Sequence, residues 1–190
     1  MKKTEPLAFG TGSSSVVKSC QICNFDNLLP ILFLGFLPPV NKMQEIGLRP
    51  VEQPSYPAQW LYCSRCHLVQ LGLIVDPQIL FPPEYPYTSS TTKVLRENFS
   101  ELYRECRRLI KLSSDDLVID IGSNDGNLLS NFTGHRVLGI TPEEVGRAAI
   151  EKGIETIIDF FDSKTAKKIL KEKGRAKIIC ATNVFAHMEN

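Results

Sequence analysis

The pattern of apolar and polar positions divides the chain into three zones. In residues 16–87 apolar residues come in short runs broken by proline, glycine and paired cysteines, with little helical period; this predicts short strands. In residues 88–112, Leu95, Phe99, Leu102, Cys106 and Leu109 step by four, three, four and three, which is one stripe of an amphipathic helix, and the hydroxyls of residues 89–92 are placed to cap it. From residue 113 the texture alternates between strands and helices. Residues 117–121 are an apolar run ending at Gly122, and Leu128, Leu129 and Phe132 mark a helix face. Residues 136–140 read as a second strand. Thr141-Pro142-Glu143-Glu144 then reads as a helix start, with threonine as N-cap and a capping box, followed by an inward stripe of Val145, Ala148 and Ala149 that Gly153 stops. Residues 154–158 predict a third strand, Ser163 caps a further helix with Ala166, Ile169 and Leu170 inward, Gly174 ends it, and residues 176–182 are a fourth strand. Strand–helix repeats of this length imply right-handed crossovers and a parallel sheet. The expected fold class is therefore α/β: a small N-terminal domain of short strands, then a Rossmann-like sheet. The expected boundaries are a flexible tail over 1–15, the small domain over 16–87, the connecting helix over 88–112 and the sheet domain over 113–190.

Composition narrows the function classes. The 190 residues are 43% apolar, enough for one ordinary domain and a small one. The net charge is +1, and residues 1–90 hold six acids and six bases. No basic stripe points to nucleic acid. The most hydrophobic stretch, residues 28–37, is broken by Pro30 and Gly35 and is far shorter than the roughly 20 residues that span a bilayer. No signal-like apolar run follows Lys2 and Lys3. The expectation is a cytoplasmic protein with no membrane partner.

Four of the six cysteines form two Cys-x-x-Cys pairs, Cys20/Cys23 and Cys63/Cys66. Each such turn places two thiolates on one side of a tetrahedron, and two turns complete it, so the pairs predict a structural zinc. Two disulfides would need an oxidising compartment. Cys63 to His67 also matches a c-type haem string, but that reading leaves Cys20 and Cys23 without a purpose. Cys106 and Cys180 read as ordinary core thiols.

The second candidate site is the turn Asp120-Ile121-Gly122-Ser123-Asn124-Asp125-Gly126 between a strand and a helix start. Small residues there let the backbone approach a ligand. The pattern is not the dinucleotide fingerprint, and an acid at the end of the first strand repels a pyrophosphate while suiting an ammonium group, such as the methionine part of S-adenosylmethionine.

With these strings in view, the sequence resembles the sugar C-methyltransferase family. The resemblance rests on the two cysteine pairs, Leu34-Gly35-Phe36-Leu37-Pro38, Cys66-His67-Leu68-Val69-Gln70-Leu71, Tyr85-Pro86-Tyr87-Thr88-Ser89-Ser90, the glycine turn, Asp159-Phe160-Phe161 and Thr182-Asn183-Val184-Phe185-Ala186-His187. It implies a zinc domain, a class I S-adenosylmethionine-dependent methyltransferase domain, here about its first four strands, and a C-terminal domain. It also implies that Asp120, Gly122, Ser123, Asn124 and Gly126 hold the methionine end of the donor, that Asp159 and Phe160 face its adenine, and that Asn183 flanks the sulfonium. Tyr85, Tyr87, Ser89 and Ser90 would orient a nucleotide-linked sugar, with Tyr87 and His187 as catalytic groups in carbon methylation next to a ketone.

Two departures stand out. Where the resemblance implies an acid at the end of the second strand, accepting both ribose hydroxyls, the chain has Thr141. The exchange is expected to weaken donor binding by about 1.5–3 kcal/mol unless Glu143 or Glu144 compensates. The chain also stops at Asn190, just past the fourth strand. The expectation is a truncated copy, with the base region and C-terminal domain missing or supplied by a partner chain. A zinc and Rossmann-like interaction module without chemistry is the alternative, and a nicotinamide-dependent oxidoreductase is disfavoured by the glycine register.

Overall fold

The computed structural model describes residues 14–41, 46–47, 49 and 52–188. Most of the stretch read as a tail lies outside them. The chain separates into two compact units, residues 1–82 and 83–190.

The first unit is antiparallel. Strand β2 (Leu28–Leu37) pairs with β3 (Tyr56–Cys63), which pairs with β4 (Val69–Leu71). A small ribbon joins β1 (Ser15–Val16) to β5 (Leu73–Ile74), so Ser15 sits in a strand although it was expected in the tail. The short helix α1 (Pro77–Leu80) starts at Asp76, whose carboxylate accepts from the Gln78 backbone N–H. β2 is interrupted by two register shifts, near Pro30 and Gly35, the two residues least suited to a regular ladder. Its side chains are mostly exposed: Leu29, Ile31, Leu32, Phe33, Leu34, Phe36 and Leu37 all stand out from the surface. Among the described residues of this unit, Cys20, Cys63 and Pro39 are the only buried apolar ones.

The second unit is built on α2 (Lys93–Leu109) and a four-stranded parallel sheet. The strands are β6 (Leu117–Ile121), β7 (Arg136–Thr141), β8 (Thr156–Ile158) and β9 (Ala176–Cys180), in the order β8-β7-β6-β9. The chain moves outward from β6 to β8 and then crosses back to pair β9 on the other side of β6. The reversal makes a topological switch point between β6 and β9, and ligands of open α/β sheets bind outside the carboxyl ends of the strands there.

Both faces of the sheet are covered. On one side Phe99 of α2 packs with Val118, Leu128, Leu129, Phe132, Ala149, Ile154 and Ile178, and Tyr103 meets the Phe132 ring edge-on at 4.9 Å between centroids. On the other, Leu117, Ile119, Ile121, Leu138 and Ile140 pack with Ile169 of α4 (Ser163–Lys173). The α2 stripe meets the core through Leu95, Phe99, Leu102 and Cys106, while Leu109 is exposed and Ile110 takes its place.

Several local expectations are corrected. The helix after the glycine turn is only a 3-10 turn, Leu129–Asn131. Thr141 is the last residue of β7 rather than an N-cap, and helix α3 (Gly146–Glu151) begins five residues later. The cap of α4 is Asp162, which accepts from Thr165 N–H, with Ser163 already helical; Leu170 is exposed. The hydroxyls before α2 form a 3-10 turn, Ser89–Thr91, and no side chain caps the helix. Gly153 and Gly174 do end their helices, at φ +82° and +87°, where a side chain would be strained. Among the described residues no helix is long and apolar enough to cross a membrane.

Candidate metal centre and ligand crevice

The first unit gathers its four paired cysteines. Their sulfurs all lie within 4.8 Å of one another, with Cys20 and Cys66 at 3.4 Å and Cys23 and Cys63 at 3.6 Å. A tetrahedron with zinc–sulfur bonds of about 2.3 Å has edges of about 3.8 Å, so the cluster is the size the ion requires. The two turns are built alike. In the first, Asn24 N–H donates to Cys20 C=O and Cys20 N–H to Phe25 C=O; in the second, His67 N–H donates to Cys63 C=O and Cys63 N–H to Leu68 C=O. Asn24 and His67, each just past the second cysteine, adopt φ +57° and +63°. That left-handed residue turns the chain back so that both sulfurs point the same way.

The thiols also resist sharing charge. Backbone N–H groups of Cys23 and Ile22 hold Cys20 down at about 6, with burial opposing them. At Cys66 the Leu68 N–H favours the thiolate, but the neighbouring Cys20 sulfur and desolvation outweigh it and push the group up to about 12. Four sulfurs this close cannot all ionise without a cation among them, and a dication relieves that repulsion. The donor set therefore fits zinc.

Sequence reasoning did not single out Gln70. It is 7% exposed, accepts from Gln21 N–H at 3.0 Å inside the first turn, and donates to Ser19 C=O. It braces the knuckle from β4, and no spacing rule marks it.

In the second unit the glycine turn lies at the carboxyl end of β6. The N–H groups of Gly122 and Ser123 both donate to Ile140 C=O, which ties the turn to β7. Gly122 has φ +74°, and a Cβ there would overlap Val184 from the loop after β9. Gly126, at φ +77°, would bring a Cβ within 2.7 Å of Ile154 and 2.9 Å of Ala149. Both positions need glycine for conformation and for space.

Asp120 is 2% exposed, and among the described residues its Oδ1 has no hydrogen-bond partner; Ser123 Oγ is likewise buried and without a partner there. Burial pushes the Asp120 carboxyl up to about 7. Two orphaned acceptors at the switch point fit a ligand that brings donors or positive charge. Neighbouring Cys180 is pushed up to about 12, by burial first and then by Asp120, and with Cys106 it packs on the core.

The remaining polar residues of the turn are committed to the segment before α2. Asn124 accepts from Ser89 N–H at 2.8 Å and donates to Tyr87 C=O at 3.0 Å. Asp125 accepts from Ser89 Oγ at 2.6 Å and pairs with Lys152 at 3.2 Å, and Asn127 donates to Ser89 C=O. Ser89 is buried within this web, while Ser90 is half-buried. Farther along the same segment, Glu144 N–H donates to Pro83 C=O, and the Tyr85 and Tyr87 rings meet edge-on at 6.4 Å. Residues 83–89 thus run as a strap from the end of β7 to the turn after β6. Burial, and then the Glu143 charge, raise the Tyr85 phenol above its ordinary value.

The other expected residues lie at the carboxyl ends of the strands. Thr141 is fully buried and its hydroxyl bonds the Glu143 carboxylate. Asp159 N–H donates to Thr141 C=O, its own carboxylate accepts from Phe160 N–H, and the Phe160 ring is 40% exposed. Asn183 follows β9 at φ +56°, and His187 closes a 3-10 turn, Phe185–His187.

Two comparisons with known proteins bear on these sites. Residues 20–81 match a methyltransferase family model described as "Putative zinc binding domain". The chain is also similar to the C-methyltransferase NovU of Streptomyces niveus, 27% identical over 175 residues, which is 90% of this chain and 41% of that protein. It spans about two fifths of the length of that curated relative. Residues 20–81, which match that zinc-binding model, hold their four cysteines as one cluster, and over 90% of its length the chain is similar to a C-methyltransferase.

Proposed function

We propose that the second unit binds S-adenosylmethionine at the carboxyl ends of β6 to β9, and that the chain serves carbon methylation of a nucleotide-linked ketosugar. The observation that carries the reading is Asp120, a buried carboxyl at the switch point of the sheet whose Oδ1 has no partner among the described residues. The similarity to NovU supports the reaction class. That relative's longer chain makes the complete activity a proposal for the whole protein, with the residues here supplying donor binding.

When bound, the donor supplies a methyl group on a positively charged sulfur. Asp120 and Ser123 offer buried acceptors to its ammonium group, and the exposed Phe160 ring offers a face to adenine. Asn183, three residues past the end of β9, is the group offered to the sulfonium in this reading. Asn124 and Ser89 act through structure: each holds the other, and together they fix the strap that carries Tyr85 and Tyr87. Tyr85, Tyr87 and Ser90 are the strap groups offered to a sugar substrate. Tyr87 Oη and the His187 ring nitrogens are positions from which this stretch can hold or move a proton. Zinc is structural, since four sulfur ligands leave no open coordination position.

Calorimetric titration of the zinc-loaded chain with S-adenosylmethionine and with a nicotinamide dinucleotide tests the reading. One equivalent of the former and none of the latter is the expected outcome. Absence of binding by either would overturn it in favour of an interaction module without chemistry, a reading helped by the turn's Gly122 and Ser123 amides already being engaged.

A further inference from the structure

A nucleoside bound at a switch point needs an acceptor for its ribose hydroxyls. In sheets of this type the acceptor is an acid at the end of the second strand, about 20 residues beyond the glycine turn. Thr141 ends that strand here, and its hydroxyl is spent on a neighbour.

That neighbour is Glu143, 21 residues beyond Gly122 and 7% exposed. We propose that Glu143 is the ribose acceptor, and that Thr141 is its positioning residue. Three observations support Glu143, and the last two set it apart from the adjacent acid. Helix α3 begins only at Gly146, so Glu143 is not occupied in a capping box. Thr141 donates to Glu143 Oε2 and sets the orientation of the carboxylate, whose several lone-pair sites leave capacity for further donors. Glu144 is exposed instead, and its carboxylate pairs with Arg147.

The surroundings agree. The strap is tied to the end of β7 through Glu144 N–H and Pro83 C=O, and the charge of Glu143 is felt at Tyr85. Gly146 would bring a Cβ within 2.6 Å of Thr141 Cγ2, so a glycine at the start of α3 leaves the room that Thr141 occupies. The chain thus splits between two residues what one acid at position 141 would do: Thr141 fixes a direction and Glu143 brings the charge.

This inference rests on the donor-binding reading, and the test separates the two. Affinities of the zinc-loaded chain are measured by calorimetry for S-adenosylhomocysteine and for its 2′-deoxyribose analogue. The unaltered chain is expected to prefer the ribose form by about 10–100-fold, the range of a hydrogen bond to a charged group. Glu143→Gln is expected to lower affinity for the ribose form about tenfold or more and to remove most of the preference. Thr141→Val should give a smaller loss of the same kind, and Glu144→Gln none.

No binding of S-adenosylhomocysteine by the unaltered chain would remove the donor site itself. Binding without preference between the two ligands would overturn the Glu143 assignment alone, whether or not any variant folds. Retained preference in a folded Glu143→Gln chain would do the same.

Discussion

The two units reach stability by opposite means. Buried apolar side chains of the first are confined, among the described residues, to two cysteines and Pro39, and its longest strand turns most of its leucines and phenylalanines outward. The second packs Phe132, Leu128, Leu129, Leu138 and Val118 at 1% exposure or less on both faces of a parallel sheet. A small domain buries too little surface to offset the entropy of ordering its chain. Four thiolates on one ion supply what the core does not, whereas the second unit has no need of one. Metal in the first and packing in the second are thus alternative answers to one shortage.

That contrast can be broken most forcefully by removing the metal. Structural zinc contributes on the order of 10 kcal/mol of binding free energy to folding. Chelation, or Cys63→Ser, is expected to open residues 14–82 to proteolysis while residues 83–188 stay protected. One zinc per chain by elemental analysis is the companion result, and a first unit that resists protease without metal would contradict the comparison.

The converse experiment empties the packed core. Phe132→Ala should cost about 3–5 kcal/mol by chemical denaturation of the second unit, with zinc content unchanged. Next in size is the web around Ser89. Asp125→Ala leaves the Ser89 hydroxyl and Lys152 without their shared anchor and should cost about 1–3 kcal/mol. Burial opposes the Asp125 charge, but Ser89, Ser90 and Lys152 prevail and hold its carboxyl below the ordinary range. Its contribution is therefore present at neutral pH and lost on acidification.

Asp120 runs the other way. Its folded carboxyl titrates near 7, above the ordinary value of 3.8, so the folded state holds the proton more tightly. Stability is expected to fall as pH rises from about 4 to about 7. Asp120→Asn should flatten that slope and gain on the order of 1 kcal/mol above pH 7 in the ligand-free chain. Thermal midpoints across pH 4–8 decide the matter: an unchanged slope would mean that Asp120 is already ionised there. The smallest effect is expected at the surface of β2, where Leu34, 52% exposed, should change to serine within about 0.5 kcal/mol.

Local signals were read well where the cause is local. The Cys-x-x-Cys spacing pre-arranges sulfurs within a four-residue turn, and glycines 153 and 174 end helices because glycine enters a positive-φ backbone without strain. The alternation of short apolar runs and periodic stripes is enough to announce parallel strands with crossovers. Misreadings occurred where local chemistry offers several equal choices. Thr141, Asp162 and Ser163 are all good caps by type; Thr141 is instead held in the strand by its pairing with Ile158, and Asp162 precedes Ser163 in the start of α4.

The amino-acid sequence alone determined the two cysteine pairs of the metal centre, the chemical character of the glycine turn and the division into three zones, because each is carried by residues close together along the chain. Tertiary structure decided the strand order, the burial of Asp120, the capture of Ser89 by residues 35 to 38 positions away and the burial of Glu143 beside an exposed Glu144. These follow from which distant groups are brought into hydrogen-bonding range as the core closes, and no period or spacing along the chain encodes them.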